Sequence, residues 1–138
     1  MSNYIISDDK EKLDIKIIHK FLTKSYWAEG RSIEEVEESI THSDCYGLYK
    51  DKQQIGFARV LTDYTTFAYL MDVFVIEEYR RQGLSKILLK KIFEDAKFKN
   101  VKKWMLATKD AHSLYEKFGF KRTDTPERLM VKVSVKNN

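Results

Sequence analysis

The most constraining stretch of this 138-residue chain is FAYLMDVFVI at residues 67–76. A nearly unbroken apolar run of this length, rich in β-branched and aromatic residues, reads as a strand buried on both faces. Such a strand needs layers on either side. The run is followed by a polar loop at 77–82 and then by an amphipathic helix from Gly83 to about Lys97, with Leu84, Ile87, Leu88, Ile92 and Ala96 on one face and Leu89 and Phe93 widening it. A central strand feeding a covering helix predicts an α/β architecture.

The flanking sequence fits around that unit. Residues 4–6 form a short apolar run suited to an opening strand, and residues 13–22 place Ile17, Ile18, Phe21 and Leu22 at helical spacing. Ser32 with Glu35 is a capping-box pair that opens a second helix bearing Ile33, Val36 and Ile40. Residues 46–49 and 55–61, joined by a polar turn at 50–53, read as a hairpin. Residues 103–107 predict another buried strand, and Asp110 is placed to cap a short helix carrying Ala111, Leu114, Tyr115 and Phe118, stopped by Gly119. Leu129, Val131, Val133 and Val135 alternate as a half-buried closing strand. The expected fold is one domain over residues 1–138: α/β, with a central mixed, mostly antiparallel sheet of about six to seven strands and about four helices.

Composition narrows the class. Apolar residues make up 43% and charged residues 33%, enough for a packed core in a soluble chain. Cys45 is the single cysteine, which predicts a reducing compartment and no intrachain disulfide. The N-terminus carries acids where a signal peptide needs a basic and then apolar run, and no stretch approaches about 20 apolar residues, so a cytoplasmic protein with no membrane partner is expected. The net charge of +4 permits nucleic-acid binding, but Glu34, Glu35, Glu37 and Glu38 interleave with the bases and no recognition motif is present. The three histidines lack metal-ligand spacing, so no metal is expected. Cys45 beside a histidine would be a nucleophile pair, but no partner is located for it, and a lone cysteine opening a strand is more often a small buried hydrophobe.

The richest chemistry lies in residues 72–91. A helix start presents unpaired N–H groups and the positive end of the helix dipole. Gly83 lets an anion approach the backbone, Ser85 is small, and Arg80, Arg81 and Lys86 add positive charge. Together they describe a diphosphate site or, read blandly, a basic loop before an ordinary amphipathic helix. The glycine spacings of a Walker loop and of a dinucleotide-binding turn are both absent.

This segment resembles the acetyl-CoA-binding motif of the GNAT superfamily of N-acetyltransferases, Arg/Gln-x-x-Gly-x-Gly/Ala, read here as Arg80-Arg81-Gln82-Gly83-Leu84-Ser85, with Val75 and Tyr79 also at matching places. The stretch AHSLYEKFGF at 111–120 resembles a later motif of the same superfamily, and the likeness runs over nearly the whole chain. Ser85 replaces the usual Gly or Ala, Thr108 stands where many members have Asn, and Glu77 replaces a frequent Pro.

The resemblance implies acetyl-CoA as co-substrate and an amine as acceptor. The backbone of Phe74 and Val75 would lie along the pantetheine arm, and Arg80, Arg81, Gln82, Gly83, Leu84, Ser85 and Lys86 would hold the pyrophosphate, with Thr108 nearby. Tyr115 would be the general acid, since a phenol with a pKa near 10 stays protonated at neutral pH; periodicity alone would make it core. Asp72 interrupts an apolar strand and is either the base or a structural carboxylate paired with Arg59, and Asp63 is a weaker base candidate. Trp27 and Arg31, with Tyr26 and Glu29, form either an acceptor wall or an aromatic plug. The residues 97–103 read as a solvated basic turn. A non-catalytic acyl-CoA sensor on the same fold is the alternative function, and a homodimer through a sheet edge or the last strand stays open.

Overall fold

A computed structural model describes residues 3–25 and 27–134 of the chain. The chain forms two compact units, Met1–Ala107 and Thr108–Asn138.

In the first unit five strands make one sheet in chain order: β1 (Tyr4–Ser7), β2 (Asp44–Lys50), β3 (Gln53–Thr62), β4 (Ala68–Val75) and β5 (Trp104–Met105). The first four pair antiparallel, and β5 joins β4 in parallel. Parallel pairing needs a crossover, which α3 (Leu84–Phe93) supplies. The β2–β3 turn is made by Asp51 and Lys52, whose positive φ angles of 50° and 74° match the twist of a tight hairpin.

Two helices precede the hairpin. Asp14 caps α1 (Ile15–Thr23) through the Ile17 amide, and the expected Ser32–Glu35 capping box opens α2 (Ile33–Thr41) with both of its hydrogen bonds present. Their apolar faces join Cys45, Phe57 and Phe74 in one core cluster, while Leu84 of α3 packs with Leu48, Ile55 and Val75 in another. Phe74 and Val75 are adjacent on β4 yet enter different clusters, as alternation across a pleated strand requires. The apolar run at 67–76 is therefore sandwiched, as its composition predicts.

The second unit holds α4 (His112–Glu116). It ends in a Schellman motif: the Phe120 amide bonds the Tyr115 carbonyl, the Gly119 amide bonds the Glu116 carbonyl, and Gly119 takes φ 94°. The accompanying apolar contact is the edge-to-face pair of Tyr115 and Phe120, with centroids 5.9 Å apart.

Four expectations change. Among the described residues the sheet has five strands, not six to seven, because residues 129–134 join no ladder. Met130 and Val131 are 94% and 86% exposed, so the alternating pattern there has neither a hydrogen-bonded neighbour nor a buried face; Val135 lies outside the described residues. The α3 helix stops at Phe93 rather than near Lys97, giving way to a short 3-10 turn capped by Asp95. Ile87 is exposed, although the rest of the expected stripe, Leu84, Leu88, Leu89 and Ile92, is buried. Asp110 does not cap α4; the Thr108 hydroxyl accepts the Ala111 amide instead.

Candidate active site

The β4 strand carries an irregularity at the residue that breaks its apolar run. Phe57 pairs with Phe74 and Arg59 with Met71, so Asp72 and Val73 together face the single residue between them on β3. Asp72 takes a left-handed φ of 58°. A bulge of this kind bends the strand and re-aims its backbone groups. A non-glycine residue there is strained by about 1–3 kcal/mol, so the surroundings must hold it.

They do so through its carboxylate, buried to 1% exposure. The Trp27 indole N–H donates to Oδ1 at 2.9 Å. Arg31 and Arg59 both donate to Oδ2, each at 2.9 Å. Arg59 also donates to the Ser43 hydroxyl. Two sequence candidates for acceptor recognition, Trp27 and Arg31, thus meet the candidate base on one carboxylate; Tyr26 lies outside the described residues. Of the two roles open to Asp72 from sequence, this geometry supplies the partners of the structural one. Arg59 was foreseeable as a lone buried arginine on the neighbouring strand. Arg31 and Trp27 were not, because they lie 41 and 45 residues away.

On its other side, β4 pairs with β5 only at Ala68 and Tyr69. Among the described residues, the backbone from Met71 to Val75 has no strand on that edge. Unpaired strand backbone is a template for an extended ligand.

The loop after β4 reaches α3 through Arg81 at φ 66° and Gly83 at φ 76°. Gly83 is the N-cap, and no side chain caps the helix. A Cβ built on Gly83 meets nothing within 4 Å, so the space before the first turn is open. Leu84 turns its side chain into the core and offers only its backbone there. Ser85 is half-buried, and Arg81 and Lys86 are exposed. Arg80 doubles back: its Nε donates to the Val75 carbonyl at 2.9 Å, and its guanidinium lies 5.8 Å from the Phe21 ring centre. Gln82 accepts from the Tyr4 hydroxyl. Neither bond was legible in the sequence.

Aromatic packing connects this region to the bulge. Phe74 stacks on Phe21 with centroids 4.1 Å apart, and Phe21 meets Trp27 at 6.4 Å.

The other candidates are less reactive. Asp63 accepts the Thr66 hydroxyl and the amides of Thr65, Thr66 and Phe67, bonds that hold its carboxyl well below the usual range and make it a poor base. Burial pushes the Cys45 thiol up to about 11, so it stays protonated and unreactive. His19 donates through Nε2 to the Arg31 carbonyl, and His42 pairs with Glu38. Among the described residues, no group of His, Cys, Asp and Glu side chains is arranged to hold a metal ion. In the second unit, Tyr115 is 9% exposed, and Thr108 spends its oxygen on the Ala111 amide while its hydroxyl proton can still be donated.

An uncapped, basic helix start beside an unpaired strand edge is a place for a phosphate-bearing, extended ligand. Residues 15–120 match the model of the acetyltransferase (GNAT) family. The chain belongs to that family. A GNAT-family protein of Xanthomonas campestris pv. campestris is 39% identical, with 97% of this chain and 95% of that chain covered and a TM-score of 0.93. A GNAT-family acetyltransferase of Elizabethkingia anophelis, solved with acetyl-CoA bound, is 25% identical over 90% of this chain and 80% of its own, with a TM-score of 0.68. A Gibberella zeae protein, an acetyltransferase by name only, is 25% identical over 83% of this chain and 77% of its own. This GNAT chain is therefore an acyltransferase by family, and acetyl transfer is the chemistry that membership supports. No helix among the described residues is long and apolar enough to cross a membrane.

Proposed function

We propose that the protein is an N-acetyltransferase that takes the acetyl group of acetyl-CoA and passes it directly to the primary amine of a small molecule or peptide. The observation that carries this reading is the α3 start: a left-handed Gly83 with open space at its Cβ, helix amides capped by no side chain, and the unpaired edge of β4 beside it. A pyrophosphate is bound by such amides and by Arg81 and Lys86, with Arg80 adding its terminal N–H groups, and a pantetheine arm pairs with the edge at Phe74 and Val75. The family match runs across both compact units, which supports residues 1–138 working as a single catalytic domain.

Bound acetyl-CoA supplies an activated acyl carbon. The chain's own residues orient it, polarise the carbonyl and manage protons. A backbone N–H beyond the bulge donates to the carbonyl oxygen. As the new N–C bond forms and the C–S bond breaks, Tyr115 gives its phenolic proton to the departing sulfur, a role carried by its motif. The amine's own proton leaves to solvent, from which the Tyr115 phenolate takes one back. Asp72, its carboxylate shared by three donors, anchors Trp27 and Arg31 rather than accepting that proton. Thr108 keeps a hydroxyl proton to donate toward the cofactor. The buried, unpaired Cys45 suits a reducing cytoplasm.

The test is a calorimetric titration with acetyl-CoA, wild type against Gly83→Glu, followed by an amine panel scored for CoA release. Micromolar binding that the substitution abolishes, with release on some amine, is expected. A folded wild type that binds no acetyl-CoA refutes the reading. Binding without release from any amine, unchanged by Tyr115→Phe, points to a sensor instead.

A further inference from the structure

One carboxylate serves two guanidinium groups in the bulge cluster. Side-chain exposure is 1% for Asp72, 7% for Arg59 and 18% for Arg31. Among the described residues, Asp72 is the only acid within ion-pair distance of either arginine. Of the two acids that follow Arg31 in the first turn of α2, Glu34 is exposed and makes no ion pair with either arginine, and Glu35 accepts from the Ser32 amide in the capping box. The cluster therefore holds one positive charge in excess, largely removed from water. An uncompensated buried charge is costly, and a protein that keeps one commonly supplies its counter-charge from a ligand.

The excess is presented at Arg31. Arg59 is the more deeply buried, with Nε on Asp72 and a terminal nitrogen on Ser43. Arg31 commits one terminal nitrogen to Asp72, and a guanidinium has five N–H donors, so most of its fork is left for another acceptor. Its backbone is pinned as well: its amide bonds the Ala28 carbonyl and its carbonyl accepts from His19. Trp27, which shares the Asp72 carboxylate with it, is 40% exposed. A pinned, half-buried guanidinium with N–H donors to spare is suited to a planar anionic group.

We propose that the acceptor amine carries a carboxylate, which pairs with Arg31 beside Trp27. This rests on the acetyltransferase reading above and names the class of its acceptor. Asp72 then acts as a positioning residue: it orients the Arg31 fork, and it cancels one of the two positive charges so that the site takes a monoanion.

The experiment uses sets of three amines sharing one skeleton: an amino acid, its decarboxylated amine and its phosphonate analogue. Steady-state acetylation is measured with wild type, Arg31→Gln and Arg31→Lys, and acetyl-CoA titrations are run in parallel. The wild type is expected to show a KM at least about tenfold lower for an anionic member than for its uncharged twin. Arg31→Gln removes that preference by raising KM for the anionic member alone, at unchanged acetyl-CoA affinity, and Arg31→Lys restores part of it. A better phosphonate than carboxylate overturns the carboxylate assignment, because one excess positive charge matches a monoanion. Equal or better use of the uncharged amines by wild type overturns the proposal, as does an Arg31→Gln loss that falls equally on both twins or turnover of no anionic probe. A wild type that binds no acetyl-CoA is a different result, which removes the acetyltransferase reading itself.

Discussion

Arg80 is tied back to the strand it follows: its Nε donates to the carbonyl of Val75 at 2.9 Å. One side chain thereby joins the end of β4 to the loop that leads into α3, the two backbone segments proposed to hold the cofactor.

Arg80→Ala should therefore weaken acetyl-CoA binding without unfolding the protein. Loss of a charge-assisted bond at a partly exposed position costs about 1.5 kcal/mol, or roughly tenfold in Kd. Calorimetry on the variant checks this, and an unchanged Kd would show that the tie does not matter to the cofactor.

Gly83 allows backbone and electrostatic effects to be separated. A Cβ there meets no atom of the protein, but φ 76° strains any side chain. Gly83→Ala should lower unfolding stability by about 1 kcal/mol. Gly83→Glu should share that loss and in addition abolish acetyl-CoA binding, because it sets a negative charge at the proposed pyrophosphate site. Urea titrations beside calorimetry distinguish the two contributions.

Asp72→Asn removes the charge facing Arg31 and Arg59. Breaking a buried pair from one side costs about 3 kcal/mol or more, so a fall of that size in chemical denaturation is expected. Adding Arg59→Met to Asp72→Asn should recover part of it, since the stranded charge goes too. Additive losses would contradict the pairing.

Tyr115→Phe tests proton delivery. A positioned acid contributes about 10²–10⁴ in rate, so kcat should drop within that range while acetyl-CoA affinity holds. A full rate in the phenylalanine variant would make Tyr115 a core residue only.

Stability should decline in alkali. Burial pushes Cys45 up to about 11 from 9.0 and Tyr49 up to about 12 from 10.0. Folding favours the protonated form of each, so their contribution is whole below pH 9 and is lost as pH rises from about 9 to 12. Urea midpoints at pH 8, 9, 10 and 11 should fall progressively, and Cys45→Ala should flatten the first part of that slope.

Much of the frame was legible from local pattern. The run at 67–76 was readable as a doubly covered strand because its apolar residues leave no face for water. The Ser32–Glu35 box was readable because both partners lie within one helical turn, and Gly119 because a left-handed helix end favours glycine. The closing strand at 129–135 was misjudged for a related reason: alternation marks a chain able to form a strand, but a strand exists only with a partner, and periodicity names none.

The candidate site divides along the same line. By itself the sequence determined the central strand, the basic helix start and the glycine that leaves it open, all features of short range in which the residues that matter are neighbours. Only the tertiary structure decided what Asp72 does. Its three donors come from positions 27, 31 and 59, and the bulge that places them depends on strand register, a long-range property that no local pattern encodes.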